Sequence, residues 1–270
     1  MKIGIIGAGK MAQALIHGLL NNHYITADHI YVTGSSISSS KKKAELLGVR
    51  YAPSNAELIE TCDWIILGVK PHAIIPILSE NRDLFVKNQK IILSLAAGVS
   101  LASMEDATHE QQKIVRLMPN MAIEIGQSTT ALVPNKQVNQ SELDDVTALV
   151  ETVGQAYLID EPMLPAFTGI AGCSPAFIAL FIEALARAGV KNGIAYQEAV
   201  NIAISATKST TMLMSEKQLA PNTLIQDVCS PGGTTIEGVT TLEDERFIPA
   251  IVKAVDATIS KDYFLSKKET

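Results

Sequence analysis

Two short stretches combine residue types and spacing that suit them to chemistry. The first is Gly7-Ala8-Gly9-Lys10-Met11-Ala12, a G-x-G-x-x-A run directly after the apolar segment that ends at Ile6. Gly7 allows a tight turn, Gly9 lets a diphosphate approach the backbone, and Ala12 lets a following helix lie close to its strand. The helix start then offers N–H donors and positive potential to an anion. The second is Ser230-Pro231-Gly232-Gly233-Thr234-Thr235, ahead of another helical pattern. Small residues leave its amides open and threonine hydroxyls add donors, which suits a carboxylate. An ordinary capped loop has the same composition.

Three further stretches fall at predicted strand ends: Gly68-Val69-Lys70-Pro71, Ala96-Ala97-Gly98-Val99 and Arg116-Leu117-Met118-Pro119-Asn120. Open α/β sheets bind ligands at the carboxyl ends of their strands. Glycine and proline also simply end strands, but three such stretches on one edge point to a wall for a nicotinamide. The second strand ends in Val32-Thr33-Gly34-Ser35-Ser36 with no acid, and Asp28 precedes it. An acid there would hold a ribose 2′-hydroxyl. Hydroxyls, amides and the nearby Lys41–43 run favour a 2′-phosphate instead. NADPH is therefore the expected cofactor, with NADH also accepted because no arginine clamps the phosphate.

These stretches need elements to hold them. Strand patterns fall at 2–6, 30–33, 64–69, 90–96, 114–118, 130–133 and 156–159, with amphipathic helices at 11–20, 41–47 and 143–153 between them. Alternating β and α with nearly continuous apolar strands predicts a mostly parallel sheet covered on both faces. Beyond Pro162 strand patterns vanish, and 174–188, 196–214, 234–242 and 247–265 read as helices rich in Ala, Ile and Leu. The expected division is 1–161, a Rossmann-type dinucleotide domain, and 162–270, an all-helical domain. So apolar a helical domain is expected to bury surface against a second copy of itself. The uncharged 20 residues at 163–182 have the length of a membrane span, but Pro165, Gly169, Gly172 and Pro175 interrupt them, which predicts a helix buried in the protein or at a subunit interface rather than in a membrane.

Composition narrows the classes. The 270 residues are 47% hydrophobic and 19% charged, with net charge −6, and the pI is about 5.4. That excludes long disordered tails and argues against a nucleic-acid partner. Cys62, Cys173 and Cys229 are too few and too far apart for a disulfide scaffold or a structural zinc site. With no membrane span and no secretory pattern at residues 1–7, a cytoplasmic chain is expected. His17, His23, His29, His72 and His109 are scattered and read as surface or packing residues.

On these stretches, in this order along nearly the whole chain, the sequence resembles the pyrroline-5-carboxylate reductase family. The shared motifs are 7–12, 69–71, 96–99, 116–120, 172–176 and 230–235. It departs in Gly172-Cys173-Ser174-Pro175 for the usual Gly-Ser-Gly-Pro, in Cys229 for a hydroxyl residue, and in Gly34 near the adenosine ribose. The resemblance implies reduction of 1-pyrroline-5-carboxylate to L-proline by NAD(P)H, the last step of proline synthesis. It also implies homodimers that often assemble into decamers. It places the substrate on Ser230, Gly233, Thr234 and Thr235, with the Thr235 hydroxyl nearest the imine nitrogen as the catalytic group. The cofactor falls to Ile6, Gly7, Ala8, Gly9, Lys10, Met11, Thr33, Ser35, Asn55, Gly68, Val69, Lys70, Pro71, Ala96 and Ala97. A protonated cyclic imine already accepts hydride readily, so positioning outweighs acid–base machinery. No metal is expected.

Two alternatives share this plan. Hydroxyacid dehydrogenases related to 6-phosphogluconate dehydrogenase use a lysine on the first long helix of their second domain; 174–188 has none, and Lys191 lies beyond the expected helix end at Gly189. A non-catalytic NADP-sensing protein would not need the intact 230–235 loop.

Overall fold

The computed structural model describes residues 1–87 and 90–266; the last four residues of the second expected domain, 267–270, lie outside them. The strands are β1 Ile3–Ile6, β2 Ile30–Thr33, β3 Arg50–Tyr51, β4 Trp64–Leu67, β5 Ile91–Ser94, β6 Lys113–Met118, β7 Ser128–Pro134 and β8 Gly154–Leu158. The helices are α1 Lys10–Asn21, α2 Ile37–Leu47, α3 Asn55–Thr61, α4 Ile74–Glu80, α5 Arg82–Lys87, α6 Leu101–Asp106, α7 Gln140–Glu151, α8 Leu164–Phe167, α9 Ser174–Lys191, α10 Tyr196–Lys217, α11 Pro221–Val228, α12 Thr234–Asp244 and α13 Phe247–Ser266.

The strands form one eight-stranded sheet in the order β3-β2-β1-β4-β5-β6-β7-β8. All neighbours are parallel except β6 and β7. Strands β1, β4 and β5 are buried from end to end, as a sheet covered on both faces requires. Alternation then divides their side chains. Ile3, Ile5, Ile66, Leu93 and Val115 pack against Leu15, Ile16 and Leu19 of α1 and Val146 and Leu149 of α7. Ile6, Ile65, Leu67, Ile92 and Ile114 pack against Leu58, Leu78, Phe85 and Met104 on the opposite face.

Compactness divides the chain into Met1–Gly172 with Thr258–Thr270, and Cys173–Ala257. The division by contacts falls later than residue 161. Leu164 packs on Ala131 and Val133 of β7, and the π-helical turn Thr168–Gly172 is tied back when Asn120 Nδ2 donates to the Ala171 carbonyl at 3.1 Å. In the second unit α9 and α10 cross on small residues: Ala186, Ala199 and Ala203 are buried, and a Cβ on Gly189 would come within 3.0 Å of the Ala199 Cβ. Arg187 Nε and Tyr196 Oη both donate to Glu183, at 2.7 and 2.8 Å, tying the pair together.

Several expectations are corrected. Helix α2 begins earlier, because Ser36 caps it and accepts from the Ser39 amide. Helix α9 does not stop at Gly189 but continues to Lys191, because that glycine serves close helix contact rather than termination. Within the single chain the 163–182 segment buries Leu164, Gly169 and Ala171 and leaves its other residues half-buried or exposed. The apolar stretch Glu161–Lys191 is long enough to cross a membrane, and only 17% of its most apolar window is buried. Strand β3 and helices α3 to α6 and α11 were too short or weakly patterned to be read.

Candidate active site

Strand β1 delivers the chain to Gly7, whose φ of +84° suits glycine alone. A Cβ there would overlap the Val69 side chain. The Gly7 amide donates to the Thr33 carbonyl at 2.9 Å, which fixes the turn to the end of β2. Gly9 caps α1 with no side-chain hydrogen bond and no acidic residue in the first turn, so the positive helix end stays open. Gly68, at the end of β4, completes the arrangement. A Cβ on it would overlap the Gly7 carbonyl oxygen and lie 2.7 Å from the Ala12 Cβ.

Around this turn lies a cleft of about 670 Å³ lined by Ile6, Gly7, Gly9, Gly34, Ser35, Lys43, Asn55, Gly68, Val69, Lys70, His72, Ala73 and Ile77. None of these residues is acidic, and two are lysines. Backbone crowded free of side chains, an uncapped helix start and two lysines in the lining fit a diphosphate-bearing dinucleotide.

Eight of the expected cofactor residues line this cleft: Ile6, Gly7, Gly9, Ser35, Asn55, Gly68, Val69 and Lys70. The others do not. Ala8 and Ala96 are buried, as is Thr33, which serves through its carbonyl on Gly7. Lys10 and Ala97 are exposed and Met11 is half-buried beside the glycine turn, while Pro71 opens the short helical turn Pro71–Ala73. The sequence reading missed His72, Ala73 and Ile77, which follow Lys70 and bring their turn of backbone over the cleft. For His72 the one signal was proximity to Val69-Lys70-Pro71. Of the lysine run only Lys43 reaches the cleft; Lys41 Nζ lies 5.2 Å above the Tyr51 ring.

The 98 and 116 stretches frame a second cavity of about 270 Å³, whose lining includes Gly98, Ser100, Arg116, Met118, Thr168 and Asp262. An Arg116 Nη donates to Glu161 Oε1 at 2.6 Å, and the same oxygen accepts from the Leu101 amide at 2.7 Å. Arg116 Nε and Thr168 Oγ1 are buried without a partner among the described residues. Burial pushes the Asp262 carboxyl above the usual range, with the Arg116 charge opposing.

The 230–235 stretch lies in the second compact unit. Gly232 has φ +67°, the Gly233 amide donates to the Ser230 carbonyl at 3.0 Å, and a Cβ on Gly233 would overlap Ser230 Oγ. Gly233 caps α12 without any side-chain bond, and Ser230, Thr234 and Thr235 are exposed. The loop thus presents open amides and hydroxyls at a helix start, as a carboxylate anchor requires.

A glycine-turn sheet domain followed by an apolar helical unit defines a two-part, nicotinamide-dependent oxidoreductase. Comparison with known proteins gives the family. Residues 161–264 match the model described as pyrroline-5-carboxylate reductase dimerisation, and 2–98 match that of NADP oxidoreductase, coenzyme F420-dependent. The chain is 35% identical over 261 residues to the pyrroline-5-carboxylate reductase of Aquifex aeolicus, covering 97% of this chain and 96% of that protein. Crystal structures of 1-pyrroline-5-carboxylate reductase from Streptococcus pyogenes give a TM-score of 0.85 at 40% identity, over 97% and 98% of the two chains. The Plasmodium falciparum pyrroline carboxylate reductase, solved with NADP bound, gives 0.86 at 29% identity over 98% of each chain. The chain belongs to the pyrroline-5-carboxylate reductase family.

Proposed function

We propose that the protein reduces 1-pyrroline-5-carboxylate to L-proline, closing proline biosynthesis, with residues 1–161 holding the dinucleotide and 162–270 the imino acid and a second copy of the chain. One observation carries the reading: the open glycine turn at 7–12 and the uncapped, glycine-led helix start at 230–235 occur in one chain. The full-length kinship to reductases supports it.

When bound, the reduced nicotinamide supplies a hydride for the imine carbon. The amides of Gly9 and the first turn of α1 receive its diphosphate, Asn55 and Ser35 orient the ribose side, and the Val69-Lys70-Pro71 backbone flanks the ring. The open amides at Gly233, Thr234 and Thr235, with Ser230 Oγ, grip the carboxylate. Thr235 Oγ1 orients the ring nitrogen. Desolvation and alignment then do most of the catalytic work. NADPH is the preferred donor and NADH a poorer one, because no acid lines the cleft to hold a bare ribose. The chain acts in the cytoplasm as a homodimer.

Purified protein assayed with 1-pyrroline-5-carboxylate, with small 3-hydroxy acids and with no added substrate, each with NADPH and NADH, tests this directly. Dinucleotide oxidation dependent on the cyclic imine is expected. Turnover only with hydroxy acids, or none at all, defeats the reading.

A further inference from the structure

The lysines at 41, 42 and 43 look equivalent in sequence, but a helix turns about 100° per residue, so three in a row face three ways. Lys41 lies over the Tyr51 ring and is exposed, and Lys42 is exposed. Lys43 is half-buried and lines the cleft beside Gly34 and Ser35. Its position is fixed relative to that loop. Ser40 is 1% exposed; its Oγ accepts from the Gly34 amide and donates to the Ser36 carbonyl, both at 2.9 Å. The loop after β2 is thereby fastened to the first turn of α2, one turn before Lys43 on the same helix.

The other charges nearby are engaged elsewhere. Arg50 Nε donates to the Asp28 carbonyl at 2.9 Å, and neither residue lines the cleft. Strands β2 and β4 flank β1 on opposite sides, so Lys70, at the end of β4, belongs to the other side of the glycine turn. Lys43 is left as the cation of the cleft on the β2 side, where an adenosine ribose is read.

We infer that Lys43 discriminates a 2′-phosphorylated adenosine ribose from a bare one, an inference resting on the dinucleotide reading of the cleft. The ammonium forms a charge-assisted hydrogen bond to the dianion and gains little from a hydroxyl. The residue determines specificity and takes no part in the hydride step.

Isothermal titration calorimetry of the full-length protein with NADPH, NADH, 2′,5′-ADP and 5′-ADP, at fixed ionic strength, tests this. Lys43→Met is expected to weaken NADPH and 2′,5′-ADP by about ten- to hundredfold while changing NADH and 5′-ADP by less than about threefold. Lys43→Arg should restore most of the discrimination, and Lys42→Met should leave it unchanged. Equal losses for both members of each pair, or an equal effect from Lys42→Met, overturn the inference, since the charge then acts generally. Wild-type protein that prefers NADPH with no change in Lys43→Met overturns the inference and leaves the cleft assignment standing. If the wild-type protein binds none of the four, the cleft assignment falls and takes the inference with it.

Discussion

Gly68 shows how much a single missing atom controls. Nothing in its own φ demands glycine, but a Cβ there would push into the Gly7 carbonyl and Ala12. Gly68→Ala should displace the turn, weakening NADPH binding by roughly tenfold or more and lowering the melting temperature, as titration calorimetry and a thermal melt would record. At the other stretch, Thr235→Ala should reduce kcat/KM by roughly ten- to thousandfold, the range for one oriented polar group; unchanged steady-state kinetics would remove Thr235 from the mechanism. Cys62 gives a pH signature. Burial pushes its thiol from 9.0 up to about 12. The native state therefore keeps a proton that the unfolded chain loses, so this contribution to stability is complete below pH 9 and disappears as pH rises toward 12. Melting temperature should fall across that alkaline range, and Cys62→Ala should flatten the fall. At this scale the glycine turn was legible because its demands are local: a positive φ and a close neighbour. Lys43 was only half legible, since which face of α2 meets the cleft depends on how the helix docks on β2, and His72 gave no signal beyond its neighbours.

Between elements, the pair of Arg116 on β6 and Glu161 after β8 bridges the far side of the sheet, and Glu161 also holds the first amide of α6. Removing the carboxylate strips a largely buried guanidinium of its hydrogen-bonded counter-charge. Glu161→Ala should destabilise the protein by about 2–3 kcal/mol, and Glu161→Gln by less, read as a lowered denaturant midpoint with an unchanged slope. Strand patterns predicted the sheet well where strands are buried on both faces, as in β1, β4 and β5. They predicted ends poorly: β4 stops at Leu67 rather than Val69, because Gly68 leaves the sheet to meet Gly7. The reversal of β7 was legible in principle. Its connection from β6, residues 119–127, is shorter than the dozen or so residues a parallel crossover needs, and the turn Met121–Ile125 fills it. The paired partners Arg116 and Glu161 were not legible, because 45 residues separate them.

As a whole, the helical unit is an unfinished core. In the single chain Leu180 is 70% exposed, Ile248 62% and Val252 53%, far more apolar surface than a lone soluble domain tolerates. Composition correctly announced helices that must bury surface, but only the placement of Ala186, Ala199 and Ala203 shows that small residues fill the inside and large ones wait outside. Leu180→Glu should shift sedimentation velocity toward monomer at micromolar concentration and reduce specific activity on dilution. A fully active monomer would contradict the assembly proposed here. The last helix has a separate consequence. Because α13 begins in the helical unit and its segment from Thr258 rejoins the sheet-bearing one, the backbone passes between the two units twice, after Gly172 and after Ala257. A single protease cut after Gly172 would therefore leave no covalent link between Met1–Gly172 and the helical unit, and the fragments would stay joined through the packing of the segment from Thr258 within the sheet-bearing unit.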